Sequence, residues 1–150
     1  FIAGASTRGL MVGLITGAAI QLLGLASMSL GHVWAILWFS VMASIILGAI
    51  GAMGGIWAEK FDHLAAVTNF VIVPLTFLSG TFYDVKVLAE PFQTFAHFDP
   101  FFYLIDGFRY GFLGVANSNI GIGVVVTGGL ALFTSFLTWW MLRSGYKLKA

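Results

Sequence analysis

Cysteine is absent from the 150 residues, and charge is scarce: 9% of positions are Asp, Glu, Lys or Arg. The first absence excludes disulfide frameworks and thiolate metal centres. The second excludes an ordinary water-soluble domain, where charged residues make up roughly 25% of the chain. Proline occurs only three times, so little interrupts long helices. Seven cations against six anions leave a net charge of +1, which gives no field for drawing in nucleic acid. What is abundant is apolar surface, with 59% hydrophobic and 16% aromatic residues. The solvent for most of it is lipid.

Four stretches are long enough to cross about 30 Å of hydrocarbon, which takes roughly 20 helical residues. They are residues 10–30, 33–58, 64–83 and 120–142, and none contains Asp, Glu, Lys, Arg or His. Strands of a membrane barrel alternate in polarity, whereas the run from Val41 to Ile50 is almost continuously apolar, as a lipid-embedded helix must be. The expected fold is an all-α polytopic helical bundle with no internal repeat and no separate soluble domain. The chain opens at Phe1 without an initiator Met, and its first apolar stretch is too long for a cleaved signal peptide. It therefore reads as the later part of a larger membrane domain.

Cations mark the cytoplasmic side of short loops. With Arg8 inside, four crossings also place Lys60, Arg143, Lys147 and Lys149 inside and leave only Lys86 and Arg109 outside. Both ends of the chain then face the cytoplasm. Trp34 and Trp57 bracket the second span, and Trp139, Trp140 and Tyr146 sit near the inner end of the last, as interfacial aromatics do.

Residues 84–119 are too polar for a span and too aromatic for a solvated loop. Pro91 and the pair Asp99-Pro100 punctuate two short apolar pieces, 92–98 and 101–115. Asp99 is suited to cap the second piece, with Pro100 in its first turn. The segment is expected to form a re-entrant helical hairpin on the outer face, since non-helical backbone at membrane depth survives only against protein or water.

Several features qualify as sites. Small residues four apart, Gly13 and Gly17, Gly51 and Gly55, Gly107 and Gly111, permit close helix approach, either within one subunit, the commoner use, or between subunits. Pro74 interrupts the third span and bends it. Thr68, Asn69 and Thr76 are its polar company, and with Pro74 they are candidates for lining a transport path. Asp106 and Arg109 lie three apart, suited to pairing on one helix face or, as the less common use, to contacting a substrate. His32, His63 and His97 fall in three different loops without metal-ligand spacing. No nucleophile elbow, phosphate loop or buried carboxylate pair is present, so any ATP used must bind another polypeptide. The uncharged spans argue against an ion-coupled carrier.

The stretch Pro74-Leu-Thr-Phe-Leu-Ser-Gly-Thr-Phe-Tyr-Asp84, followed by Phe98-Asp-Pro-Phe-Phe-Tyr-Leu-Ile-Asp-Gly-Phe-Arg-Tyr-Gly-Phe-Leu-Gly114, resembles the C-terminal part of ABC-2 type transporter permeases. Pro74, Leu78, Ser79 and Gly80 match the family's pattern before the hairpin, and Pro100, Tyr103, Asp106 and Arg109 match the pattern within it. Departures occur at Tyr83-Asp84, where many relatives carry Pro, at Asp99, where they carry Asn, and at Pro91, which falls two residues late. The resemblance implies the last four spans of a six-helix subunit in a bacterial inner membrane. It also implies pairing with a second permease copy, expected to be identical, alongside membrane lipid. The ATP and magnesium would be bound by an ATP-hydrolysing partner, with no cofactor in this chain and no catalysis by it. The expected function is export of a drug, a lipid-linked molecule or a saccharide, the alternative being a scaffold or accessory subunit without a path. The loop 59–63 is a weak candidate for touching the ATPase.

Overall fold

The computed structural model describes residues 2–22, 32–58, 61–79, 85–87 and 89–145. Among these every regular element is helical. Helix α1 spans Ile2–Leu22, α2 Val33–Trp57, α3 Phe61–Val67 and α4 Val73–Leu78. Two short helices follow, α5 over Glu90–Phe98 and α6 over Pro100–Leu113, and then the long α7 over Ile120–Ser144. A π-helical turn, Thr68–Ile72, joins α3 to α4, and a 3-10 turn at Val85–Val87 precedes α5.

Helices α2 and α7, 25 residues each, are long and apolar enough to cross a membrane. Only 22% of the most apolar window in each is buried, whereas the core helix of a soluble protein is mostly covered. The run Asp62–Leu78 is a shorter apolar helix. Helix α1 starts at Ile2, ahead of the expected residue 10. Arg8 therefore lies within the helix and does not flank it. The rest of that expected span, 23–30, falls outside the described residues, as do Lys60, Gly80, Tyr83, Asp84, Tyr146, Lys147 and Lys149.

Helix α2 is the axis of the fold, packing against α1, α6 and α7, while α6 and α7 also meet each other. Its buried residues Ala35, Phe39, Ile46 and Ala49 recur at helical spacing and join Leu104 of α6 and Ala131 of α7 in one apolar core. The facing stripe of α7 is built from small residues: Gly123, Thr127, Ala131, Thr134 and Thr138 are its buried positions. Small side chains let two backbones come close where no hydrophobic force between helices drives them together.

The α5–α6 pair is joined by a single residue. Asp99 is extended, with φ −80° and ψ 116°, and its carboxylate accepts a hydrogen bond from the Phe101 amide at 2.9 Å. Pro100 fills the first helical position, where a missing N–H costs nothing. Pro91, expected ahead of the first short helix, sits inside its first turn for the same reason, and α5 begins at Glu90. Helix α6 ends at Gly114, whose φ of 69° is the left-handed value glycine adopts without strain.

Candidate functional site

Apart from the glycines of α1 and α2, the described residues singled out from the sequence collect in two places, α6 with its surroundings and the bent helix α3–α4. On α6, Gly107 and Gly111 face α2. A Cβ placed on Gly107 would run into the Phe39 ring, and one on Gly111 would strike the Ile36 side chain and lie 3.0 Å from the Ile36 backbone nitrogen. These two glycines pack helices within one subunit. Gly13, Gly51 and Gly55 have nothing within 4 Å of an added Cβ, and the surroundings of Gly17 lie outside what is described. The five of these glycines with described surroundings thus separate into a closed pair and an open group of three.

Asp106 is 2% exposed, and its carboxylate has a definite task. One oxygen accepts from the Asn117 amide at 2.8 Å, and the other accepts from the Ser118 amide at 2.9 Å and the Ser118 hydroxyl at 2.7 Å. Charge-assisted bonds to three donors offset the cost of burying the carboxylate. The result is a clamp that fixes the connection between α6 and α7. Half-buried Arg109 lies one turn further along α6. Tyr103, also half-buried, approaches Gly123 of α7, where an added Cβ would lie 3.7 Å from its ring, and its ring makes an edge contact with Phe102.

Asp99, 4% exposed, has one oxygen in the cap, and its other oxygen, Oδ2, is buried without a hydrogen-bond partner among the described residues. Burial raises its carboxyl above the ordinary value, and the Phe101 amide bond opposes the rise. At the opposite end of α6, the His32 ring stacks on Tyr110 with centroids 4.4 Å apart, and the His32 amide donates to the Gly111 carbonyl. The start of α2 is thereby tied to the end of α6.

The bent helix has a different character. The Val73 amide donates to the Thr68 carbonyl, five residues back, so the turn before Pro74 is widened. Proline's ring clashes with the carbonyl four residues before it, and a widened turn relieves that clash. Thr68, Asn69 and Pro74 face outward, with Phe70 exposed beside them. Thr76 is half-buried and donates to the Ile72 carbonyl at 2.8 Å, and buried Ser79 donates to the Thr76 carbonyl at 2.6 Å.

Three threonines escaped the sequence reading. Thr127, Thr134 and Thr138 are all buried on α7, and Thr138 donates both to the Thr134 carbonyl at 2.8 Å and, across the interface, to the Ala49 carbonyl of α2 at 3.3 Å. Their spacing of seven and four residues was the available signal. Among the described residues no three His, Asp or Glu side chains gather as a metal site.

The sequence model of the ABC-2 type transporter family matches residues 1–113. The chain belongs to that family. Among curated proteins, an ABC-2 chain of this kind is similar to the inner membrane transport permease YadH of Escherichia coli K12. The two are 31% identical over 153 residues, covering 100% of this chain and 58% of the relative. Nodulation protein J of Rhizobium leguminosarum bv. viciae is 31% identical over 110 residues, covering 69% of this chain and 42% of the relative. The chain therefore spans a little more than half the length of the first relative and less than half that of the second. No solved structure matches it. The family match ends at the last residue of α6, so the Asp106 clamp reaches from the matched region to residues beyond it.

Proposed function

We propose that the chain is the membrane-embedded permease portion of an ATP-driven exporter, forming its last four spans with both ends in the cytoplasm. The observation that carries this is the family match over residues 1–113, supported by the likeness to a protein named as an inner membrane transport permease. In this reading α1, α2, the bent α3–α4 helix and α7 cross the membrane, and α5–α6 dips into the outer leaflet as a re-entrant hairpin. A separate ATP-binding subunit supplies the energy, and a second permease copy, taken to be identical, completes the assembly. The cargo is a drug, a lipid-linked molecule or a saccharide moved outward across a bacterial inner membrane.

The outward-facing polar group Thr68 and Asn69, beside a widened turn, is the path candidate that this reading favours. Polar side chains on an otherwise apolar membrane helix face other helices or a water-filled cavity, and lipid is the costly alternative. Co-purification of the full-length protein should recover an ATPase subunit, and export should stop when that subunit's ATP hydrolysis is blocked. Undiminished export without any ATPase would refute the mechanism. Unchanged export in Asn69→Leu and Pro74→Ala variants would remove the path assignment and favour a scaffold role.

A further inference from the structure

The C-terminal end of α7 carries a feature that the family match does not reach. Trp139, Trp140, Arg143 and Ser144 line an open cavity of about 420 Å³. The Arg143 guanidinium lies over the Trp139 ring, 5.1 Å from its centroid, and Trp139 in turn contacts the Phe136 ring at 5.9 Å. Leu132, Phe136, Trp139 and Arg143 recur at helical spacing, so they form one stripe, and all are exposed. This stripe lies roughly opposite the buried one of Thr127, Ala131, Thr134 and Thr138. It is apolar along most of its length and cationic at its end.

We propose that this end of α7 binds an anionic phospholipid, with the lipid phosphate on Arg143 and an acyl chain along Trp139, Phe136 and Leu132. Charge complementarity selects this occupant. Helix α7 has no acidic residue to neutralise Arg143. Guanidinium presents a planar fork of donors that matches phosphate oxygens. The Ser144 hydroxyl is engaged with the Met141 carbonyl at 3.1 Å, which leaves the Arg143 guanidinium as the charged donor among the lining residues. A tryptophan pair at the headgroup level supplies rings that are apolar on their faces and polar at one edge.

This proposal rests on the reading of the chain as a membrane subunit, and the test separates the two. The full-length protein is reconstituted with phosphatidylglycerol or phosphatidylcholine, and retained lipid is counted by native mass spectrometry. In parallel, tryptophan quenching is followed with brominated forms of both lipids. Wild type should retain phosphatidylglycerol about fivefold better than phosphatidylcholine, the order of preference one basic residue confers near a membrane surface. Arg143→Gln should abolish the preference, and Arg143→Lys should keep most of it. Equal retention of the two lipids in wild type, or an unaltered preference in Arg143→Gln, would overturn the site. Displacement of the lipid by millimolar inorganic phosphate would overturn the lipid assignment in favour of a free anion. If no tryptophan were quenched by either brominated lipid, the membrane reading itself would fall. Should Arg143→Gln fold poorly, Trp140→Ala, which leaves the charge in place but removes one wall of the cavity, should lower phosphatidylglycerol retention on its own.

Discussion

Replacing Gly107 or Gly111 by alanine tests the packing of α6 on α2 with a single methyl group. At Gly107 the new Cβ meets the Phe39 ring, which is 1% exposed and packed in the apolar core. At Gly111 it meets Ile36 backbone atoms, at 3.0 Å from nitrogen and 3.3 Å from Cα, and backbone cannot rotate aside. Overpacking of this kind costs about 1–3 kcal/mol, and removing a helical glycine returns about 0.5–1 kcal/mol. The net expectation is a loss of roughly 0–2.5 kcal/mol, centred on about 1 kcal/mol at each position, or about 2–4 °C in melting temperature at that centre for a chain of this size. Thermal unfolding of the detergent-solubilised protein, followed by tryptophan fluorescence, measures it. Gly51→Ala and Gly55→Ala are the controls, because nothing lies within 4 Å of their added Cβ atoms. The two sites also differ in how they can be rescued. A Phe39→Leu background should remove the cost of Gly107→Ala, since the obstacle is a side chain. An Ile36→Ala background should leave much of the cost of Gly111→Ala, since the obstacle there includes backbone. Wild-type stability in both α6 variants would refute the close-contact account.

Asp106→Asn keeps the shape of the clamp but offers one acceptor oxygen in place of two. At least one donor at Ser118 or Asn117 is then unsatisfied, costing about 1–3 kcal/mol, and hydrogen exchange at those two amides should quicken. Asp99→Ala should cost about 1 kcal/mol through the lost cap, whereas Asp99→Asn retains a good capping group. Because burial raises the Asp99 carboxyl above its ordinary 3.8, the folded protein holds this proton at pH values where the unfolded chain has lost it. Stability should therefore fall as pH rises from 3.8 through the folded value, and in pH-dependent melting Asp99→Asn should flatten that slope. Thr138→Val preserves shape but deletes the bond to Ala49, and should cost about 0.6 kcal/mol by the same melting assay, the average for interhelical hydrogen bonds in membranes.

The sequence made parts of this fold readable because the relevant signals are local. Helices α2 and α7 are long apolar runs, α2 without a charged residue and α7 with none before Arg143 in its last turn, and the Asp99-Pro100 joint combines a capping side chain with a residue that cannot donate. Pro74 likewise announced a bend. That the bend takes the form of a widened turn over Thr68–Ile72 depends on how the chain relieves the proline clash, which Pro74 alone does not specify. The Asp106 clamp was illegible for a different reason. Asp106 and Arg109 share a helix and suggest each other, whereas the actual donors at Asn117 and Ser118 come within reach only after Gly114 reverses the chain.

The facing of the helices was hidden for a reason that applies to any chain of this class. In water, the buried face of a helix announces itself by being more hydrophobic than the exposed one. In lipid both faces are apolar, and the buried stripe of α7 is in fact the more polar, with Thr127, Thr134 and Thr138 inside and Leu132, Phe133 and Phe136 outside. Each threonine hydroxyl donates to a carbonyl four residues back in its own helix, so it carries no unmet demand into the interface and adds little bulk there. Residue size therefore marks the contact face where hydrophobicity cannot. By that measure Gly107 and Gly111 are already covered by α2, while Gly13, Gly51 and Gly55 are small residues on open faces of α1 and α2. If size marks contact throughout the protein, helix contacts from outside the described residues fall on those open faces before they fall on the bulky outer stripe of α7. Cross-linking from cysteines placed at Gly51 and Gly55 should then exceed that from Leu132 and Phe136, and the reverse order would show that size marks contact only within the α2–α6–α7 core.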